Sequence, residues 1–255
     1  MAWGRGLRGW LGAVGVAGTV AAILLGSAPA ATAGAAGEEL APGDGFGATI
    51  TSGVLDWGQV PSWADFNGDG RADYCRQVGN VNLQSSRVSC TLSTGTGFGA
   101  TFTSGVLDWG QVPSWADFNG DGRADYCRRV GDVNLRSSRV SCTLSTGTGF
   151  GATITSGVLD WGYVPGTAWA DFNGDGRADY CRPVGTVNLQ SSYVECTLST
   201  GTAFGATIRS NVLDWGYDTG RAWIDANADG KADYCRRVGN VNLVSSRVSC
   251  TLSTA

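Results

Sequence analysis

The segment DFNGDGRADYCR occurs three times without a change, at 65–76, 117–128 and 171–182, and a fourth copy, DANADGKADYCR, occupies 225–236. Successive copies are offset by 52, 54 and 54 residues. Self-similarity at such a period means that one supersecondary unit is built four times and buries its faces against copies of itself. A propeller or a solenoid follows. Chemistry on a substrate needs one site, so a motif present four times reads first as architecture.

Each unit contains four runs with strand character. In the first they are 62–66, 72–78, 87–93 and 98–107, with side chains that alternate in polarity and with Gly, Asn, Ser and Pro at their ends. Four antiparallel strands in about 50 residues describe a propeller blade. The eight cysteines form pairs 15 positions apart: Cys75 and Cys90, Cys127 and Cys142, Cys181 and Cys196, Cys235 and Cys250. Fixed spacing and an even count predict disulfides between the second and third strands, and two cysteines without histidine cannot complete a local zinc site. The repeats cover about 61–107, 113–159, 167–213 and 221–255, with 46–56 as a spare outer strand. The fold expected is all-β: a propeller of four four-stranded blades, closed by the N-terminal strand completing the C-terminal blade, since closure removes exposed edges.

Within the repeated loop, oxygen-bearing side chains fall at positions 1, 3, 5 and 9, and position 7 offers a backbone carbonyl. The sets are Asp65, Asn67, Asp69, Arg71 and Asp73; Asp117, Asn119, Asp121, Arg123 and Asp125; Asp171, Asn173, Asp175, Arg177 and Asp179; Asp225, Asn227, Asp229, Lys231 and Asp233. Hard oxygen ligands in this number suit Ca²⁺, with up to four ions. An acidic Asx turn on the surface is the competing reading, because Asp, Asn and Gly are common turn formers. Three carboxylates within nine residues repel one another unless a cation sits among them. An EF-hand would place Glu at position 12, where this loop has Arg76, and the helical dockerin loop has a shorter period.

The D-x-N-x-D-G-x-x-D loop after a short strand, with FG-containing strands between copies, resembles the FG-GAP or VCBS repeat family, to which integrin α propellers belong. The resemblance covers residue 46 to the C-terminus. It implies propeller blades whose first inter-strand loop binds Ca²⁺ through the residues named above. Two departures stand out: four repeats are fewer than the usual seven, and the fourth loop has Ala226 and Ala228 in place of Phe and Gly.

Arg5, Arg8, the apolar run 11–25 and the small residues up to Ala33 read as a secretory signal peptide over 1–33, followed by a flexible leader over 34–45. The expected product is secreted, extracellular and without a membrane span after cleavage. Its net charge is about −6, and nothing in it resembles a basic nucleic-acid face. With no histidine and no G-x-S-x-G elbow, the sequence offers no recognisable nucleophile–base pair, and no enzyme is expected. The two tryptophans of each unit are expected to pack between blades. Asp56, Asp108, Asp160 and Asp214, each before the first tryptophan, read as turn caps. The repeats differ at Gln59, Gln111, Tyr163 and Tyr217 and at Arg87, Arg139, Tyr193 and Arg247, and units three and four are two residues longer near the first set. Variation on a constant scaffold makes these eight the candidate ligand residues. The function expected is a calcium-binding adhesion module for an extracellular glycan, cell-wall polymer or protein, as a monomer or a ring-completing oligomer. A secreted polysaccharide- or ester-directed hydrolase and a purely structural envelope protein are the alternatives.

Overall fold

A computed structural model describes residues 46–80, 85–132, 138–186, 192–240 and 245–255. The signal peptide and leader assigned to 1–45 lie outside the described residues. Residues 49–255 form one compact unit. It holds four antiparallel meanders in chain order. The first contains β1 (Gln59–Ala64), β2 (Asp73–Val78), β3 (Arg87–Ser93) and β4 (Phe98–Thr103). The second contains β5 (Gln111–Ala116), β6 (Asp125–Val130), β7 (Arg139–Ser145) and β8 (Phe150–Thr155). The third contains β9 (Ala168–Ala170), β10 (Asp179–Val184), β11 (Tyr193–Ser199) and β12 (Phe204–Arg209). The fourth has three strands: β13 (Ala222–Ile224), β14 (Asp233–Val238) and β15 (Arg247–Thr251).

Alternation gives every sheet two chemically different faces. In β7, Val140 and Cys142 point to an apolar face while Ser141 and Thr143 point to a hydroxyl face, and all four are buried. On the hydroxyl face Thr143 pairs with Thr153, and Ser141 with Thr155, at 2.8 and 2.7 Å. Arg128, also buried, donates to Thr143 Oγ1 and to the Asp108 carbonyl and lies over the Tyr126 ring. The Tyr126 hydroxyl donates to the Trp109 carbonyl. This Tyr–Arg clamp recurs at Tyr180–Arg182 and Tyr234–Arg236, and it grips the chain segment arriving from the preceding sheet. The cysteines lie directly opposite each other in the ladders, and four disulfides join Cys75–Cys90, Cys127–Cys142, Cys181–Cys196 and Cys235–Cys250. Closing a loop of 15 residues stabilises each hairpin by about 3 kcal/mol in the chain-entropy account.

Neighbouring sheets dock through one ring. Phe66 is fully buried, 4.8 Å from Phe150 and edge-on to Trp115 of the second sheet. Phe118 repeats the contact with Phe204 and Trp169 of the third sheet. Phe172 meets Trp223 but is only half buried, since the fourth sheet has no strand to supply the other phenylalanine. The bonds between units step in the same direction: the amides of Ala124, Ala178 and Ala232 donate to the carbonyls of Asp65, Asp117 and Asp171.

The closed propeller is therefore corrected. The chain is all-β, but its four sheets are separate, residues 46–50 take no strand, and the fourth sheet stops at three strands. Among the described residues no bond from Ala72 to Asp225 closes the series. The physical reason is that each docking contact needs a following sheet, and a linear series of four supplies only three such interfaces. The strand boundaries also move. The fourth strand ends at Thr103 rather than residue 107, because the Ser104 hydroxyl turns back to bond Gly105 and to accept the Val88 amide. Replacing Phe118 with alanine should destabilise the array by about 3–5 kcal/mol. Phe172→Ala should cost clearly less, as measured by urea denaturation.

Candidate functional site

The acidic loops are wired internally. Asp65 Oδ1 accepts the amides of Gly68 and Asp69 and its Oδ2 that of Gly70, at 2.8–3.0 Å. Asp69 accepts the Asn67 side-chain amide and the Arg71 backbone amide, and the Arg71 guanidinium closes on it as an ion pair. Asp73, fully buried, accepts the amides of Phe66 and Ser93. The second and third loops repeat every one of these bonds. Asp73 and its equivalents thus pin the loop to the end of the third strand and set the neighbouring phenylalanine for docking.

Among the described residues, no group of three or more His, Cys, Asp or Glu side chains is placed to hold a metal ion. The carboxylates point at amides and at Arg71, Arg123 and Arg177, so the loops as folded do not fit a divalent cation. The calcium-binding expectation is corrected on that ground. The positive charge that the crowded carboxylates require comes from amide dipoles and from the arginine at position 7, whose side chain, rather than its carbonyl, is the group used. In the fourth loop Lys231 turns instead to the Ala255 carbonyl. Ala228, in the place of Gly68, is held at φ +63, a left-handed conformation that a Cβ makes costly.

A second constellation lies where units three and four are longer. The Tyr163 ring, half exposed, packs at a tilt of 43° against the buried Trp215, with ring centroids 5.0 Å apart. Tyr217 is also exposed, with its hydroxyl fixed on the Gly239 carbonyl. Arg221 ties the two added segments together by donating to the carbonyls of Trp215, Gly216 and Pro165. Arg129 and Arg237 brace the same segments through Thr167 and Thr219. In units one and two the shorter turn forces Val60 and Val112 to φ +46 and +49 beside a bulge, which the added residues avoid.

The eight candidate ligand residues divide accordingly. Tyr217 and Arg247 line one cleft of about 340 Å³ with Arg237 and Val248. Tyr163 belongs to the tilted pair with Trp215. Arg87 and Arg139 are spent on the carbonyls of Ser104 and Ser156, while Gln59 and Gln111 stand exposed at the start of β1 and β5. Tyr193 lies under Arg209. The Asp56-type residues cap turns, each accepting the amide two positions on. Sequence reasoning missed the buried Glu195, which pairs with Arg182 and Arg209 at 2.8 and 2.5 Å. The signal was available: units one and two carry Ser and Thr at these register positions, Ser89 with Thr103 and Ser141 with Thr155, and unit three replaces both at once.

With the geometry established, comparison with known proteins adds a relative. No family model matches the chain, so the FG-GAP and VCBS resemblance rests on its own motif. Over 130 residues the chain is 31% identical to NAD(+)–arginine ADP-ribosyltransferase Chelt of Vibrio cholerae. The match covers 51% of this chain and 21% of that protein, so the chain spans about a fifth of the relative's length. A chain of the Photorhabdus luminescens Tc holotoxin pore aligns with a TM-score of 0.49 at 18% identity, covering 75% of this chain and 9% of that one. The relative carries an enzyme's name, which corrects the expectation that enzymatic activity is excluded. The description as a calcium-binding FG-GAP adhesion propeller falls with the metal geometry and the open array.

Two outcomes follow from the loops. Replacing Ala228 with glycine should stabilise the fold by about 1 kcal/mol, read as an upward shift in the denaturation midpoint. Burial pushes Asp125 up to about 7 and Asp179 up to about 6, from an ordinary 3.8, against the pull of their two amide bonds. The folded chain then holds protons that the unfolded chain has released between about pH 4 and 7, so stability falls as pH rises through that window. No histidine interferes there. Asp69, lowered by the Asn67 amide, and Asp225, lowered by the Gly230 amide, act only at more acidic pH. Urea midpoints should be higher at pH 5 than at pH 8; equal midpoints contradict the account.

Proposed function

We propose that the chain is a secreted recognition module, of a kind that accompanies an ADP-ribosyltransferase, and that it binds an extracellular glycan at the aromatic tip of units three and four. The observation that carries this reading is the exposed ring of Tyr163, packed against Trp215 next to the two added segments, which Arg221 ties together by donating to the Pro165 carbonyl. An exposed aromatic face offers a sugar ring a stacking surface, and the neighbouring cleft lined by Tyr217 and Arg247 offers polar contacts. A cell-wall polymer presents the same chemistry in repeating form, and a protein partner would use the same aromatic and arginine anchors.

A second reading is favoured by one finding, the similarity to Chelt. In it the chain takes part in ADP-ribosyl transfer to arginine, which labelled NAD⁺ and an arginine acceptor would detect directly.

A glycan array tests the first reading. The wild-type chain should bind a subset of glycans, and Tyr163→Ala with Tyr217→Ala should weaken that binding at least tenfold while leaving the denaturation midpoint in place. Binding that survives the double replacement, or an array without a positive, would remove the tip as the site.

A further inference from the structure

The fourth sheet displays a strand that its three counterparts bury. Val88 and Val140 are 0% exposed and Val194 is 6% exposed, whereas Val248 is 75% exposed. In units one to three this valine is covered by the segment that follows the outer strand. In unit two the Ser156 hydroxyl accepts the Val140 amide, the Leu159 amide donates to the Ser138 carbonyl, and Trp161 seals the valine while donating to the Arg139 carbonyl. Nothing covers β15 in this way among the described residues. Beside it lies a cavity of about 440 Å³ lined by Phe172, Cys196, Ile208, Trp223 and Leu252. The matching places of the second and third sheets, around Phe66 and Phe118, are filled by the rings of Phe150 and Phe204. The cavity has the walls of a phenylalanine socket and no phenylalanine.

The chain also carries the plug. Residues 46–57, FGATITSGVLDW, are identical at all twelve positions to 150–161, the segment that seats on β7 and buries Val140. At the start of the array these residues find no preceding sheet. Phe46 is 90% exposed, Trp57 86%, and Val54 and Ile50 are exposed as well. The Trp57 backbone is nevertheless in its docked place, with its carbonyl accepting the Tyr74 hydroxyl.

We propose that residues 46–57 of one copy add as a fourth strand to β15 of a second copy, so that the chain assembles head to tail. Phe46 enters the socket at Phe172, and Trp57 covers Val248 as Trp161 covers Val140. Strand addition at a bare edge supplies main-chain bonds, and the alternate side chains supply register and specificity. The interface is heterologous, since the donor segment and the acceptor edge are different surfaces, so copies add head to tail, and the series continues wherever the rotation between copies does not close a ring.

Sedimentation velocity on the full chain across micromolar to millimolar concentrations tests the assembly. Wild type should give a concentration-dependent ladder of dimers and larger species. A donor-defective variant, Phe46→Asp with Trp57→Asp, and an acceptor-defective variant, Val248→Asp, should each sediment as monomers. Mixed together they should form a one-to-one dimer and stop there, because one intact donor and one intact edge remain. If Val248→Asp fails to fold, a synthetic peptide of residues 46–57 decides the matter, since in excess it should cap β15 and dissolve the wild-type ladder to monomers. A wild type that is monomeric throughout overturns the proposal, including a monomer whose amides at 49–52 are protected from exchange by its own fourth sheet. A ladder unaffected by both variants or by the peptide overturns it equally.

Discussion

A four-stranded sheet of this size cannot bury both faces by itself, and the structure depends on how it hides the apolar one. A phenylalanine from the acidic loop of one sheet crosses into the next and packs against an aromatic pair there. The ring is aimed by the buried aspartate seven positions on, which accepts that phenylalanine's own amide and an amide from the third strand. One carboxylate therefore couples the local turn, the hairpin and the inter-sheet contact. Burying it costs desolvation, which its two amide bonds offset in part, and that is why its equivalents in the second and third units titrate so far above the ordinary range.

The remaining polar face is buried by a different device. Threonine and serine hydroxyls pair across strands, and a buried arginine lies over a tyrosine while donating to backbone carbonyls. No buried side-chain nitrogen or oxygen of the described residues lacks a hydrogen-bond partner. Such a face is specific rather than greasy, since each donor has one acceptor at one register. Unit three keeps its Thr197–Thr207 pair and exchanges its other hydroxyl pair for the Glu195–Arg209 ion pair with Arg182 as second partner, and the fold absorbs the change because both sides changed together. The same rule explains the two ends. Unit one has rings without a preceding sheet, unit four a socket without a ring, and the middle units are complete.

Repeat period, strand number within a complete unit and cysteine pairing were all legible in the sequence, because each depends on residues close together in the chain. The Asp56-type turn caps were legible for the same reason, whereas the tryptophans were legible only in part: Trp57 and Trp63 of unit one are exposed, and Trp115 and Trp169 pack on rings of the preceding unit. The acidic loop was not. Oxygens at positions 1, 3, 5 and 9 describe a cation cage, yet the same spacing lets the first aspartate accept three successive amides of its own turn. Which donors win depends on Arg71 folding back and on Ser93 arriving from a strand twenty residues away. Of the candidate ligand residues, Tyr163 and Tyr217 were brought into one neighbourhood by the added segments, while Arg87 and Arg139 proved to be spent on carbonyls. Exposure of a repeated position cannot be read without knowing what lies across from it.

By itself the sequence determined a fourfold all-β chain with one disulfide in each repeat, because repetition and alternation are local properties that survive any arrangement of the units. Only the tertiary structure decided whether the series closes, where the carboxylates point and which edge stays bare. Those depend on the angle between one sheet and the next, summed over three interfaces, and on donors supplied by distant strands, neither of which is written in any single repeat.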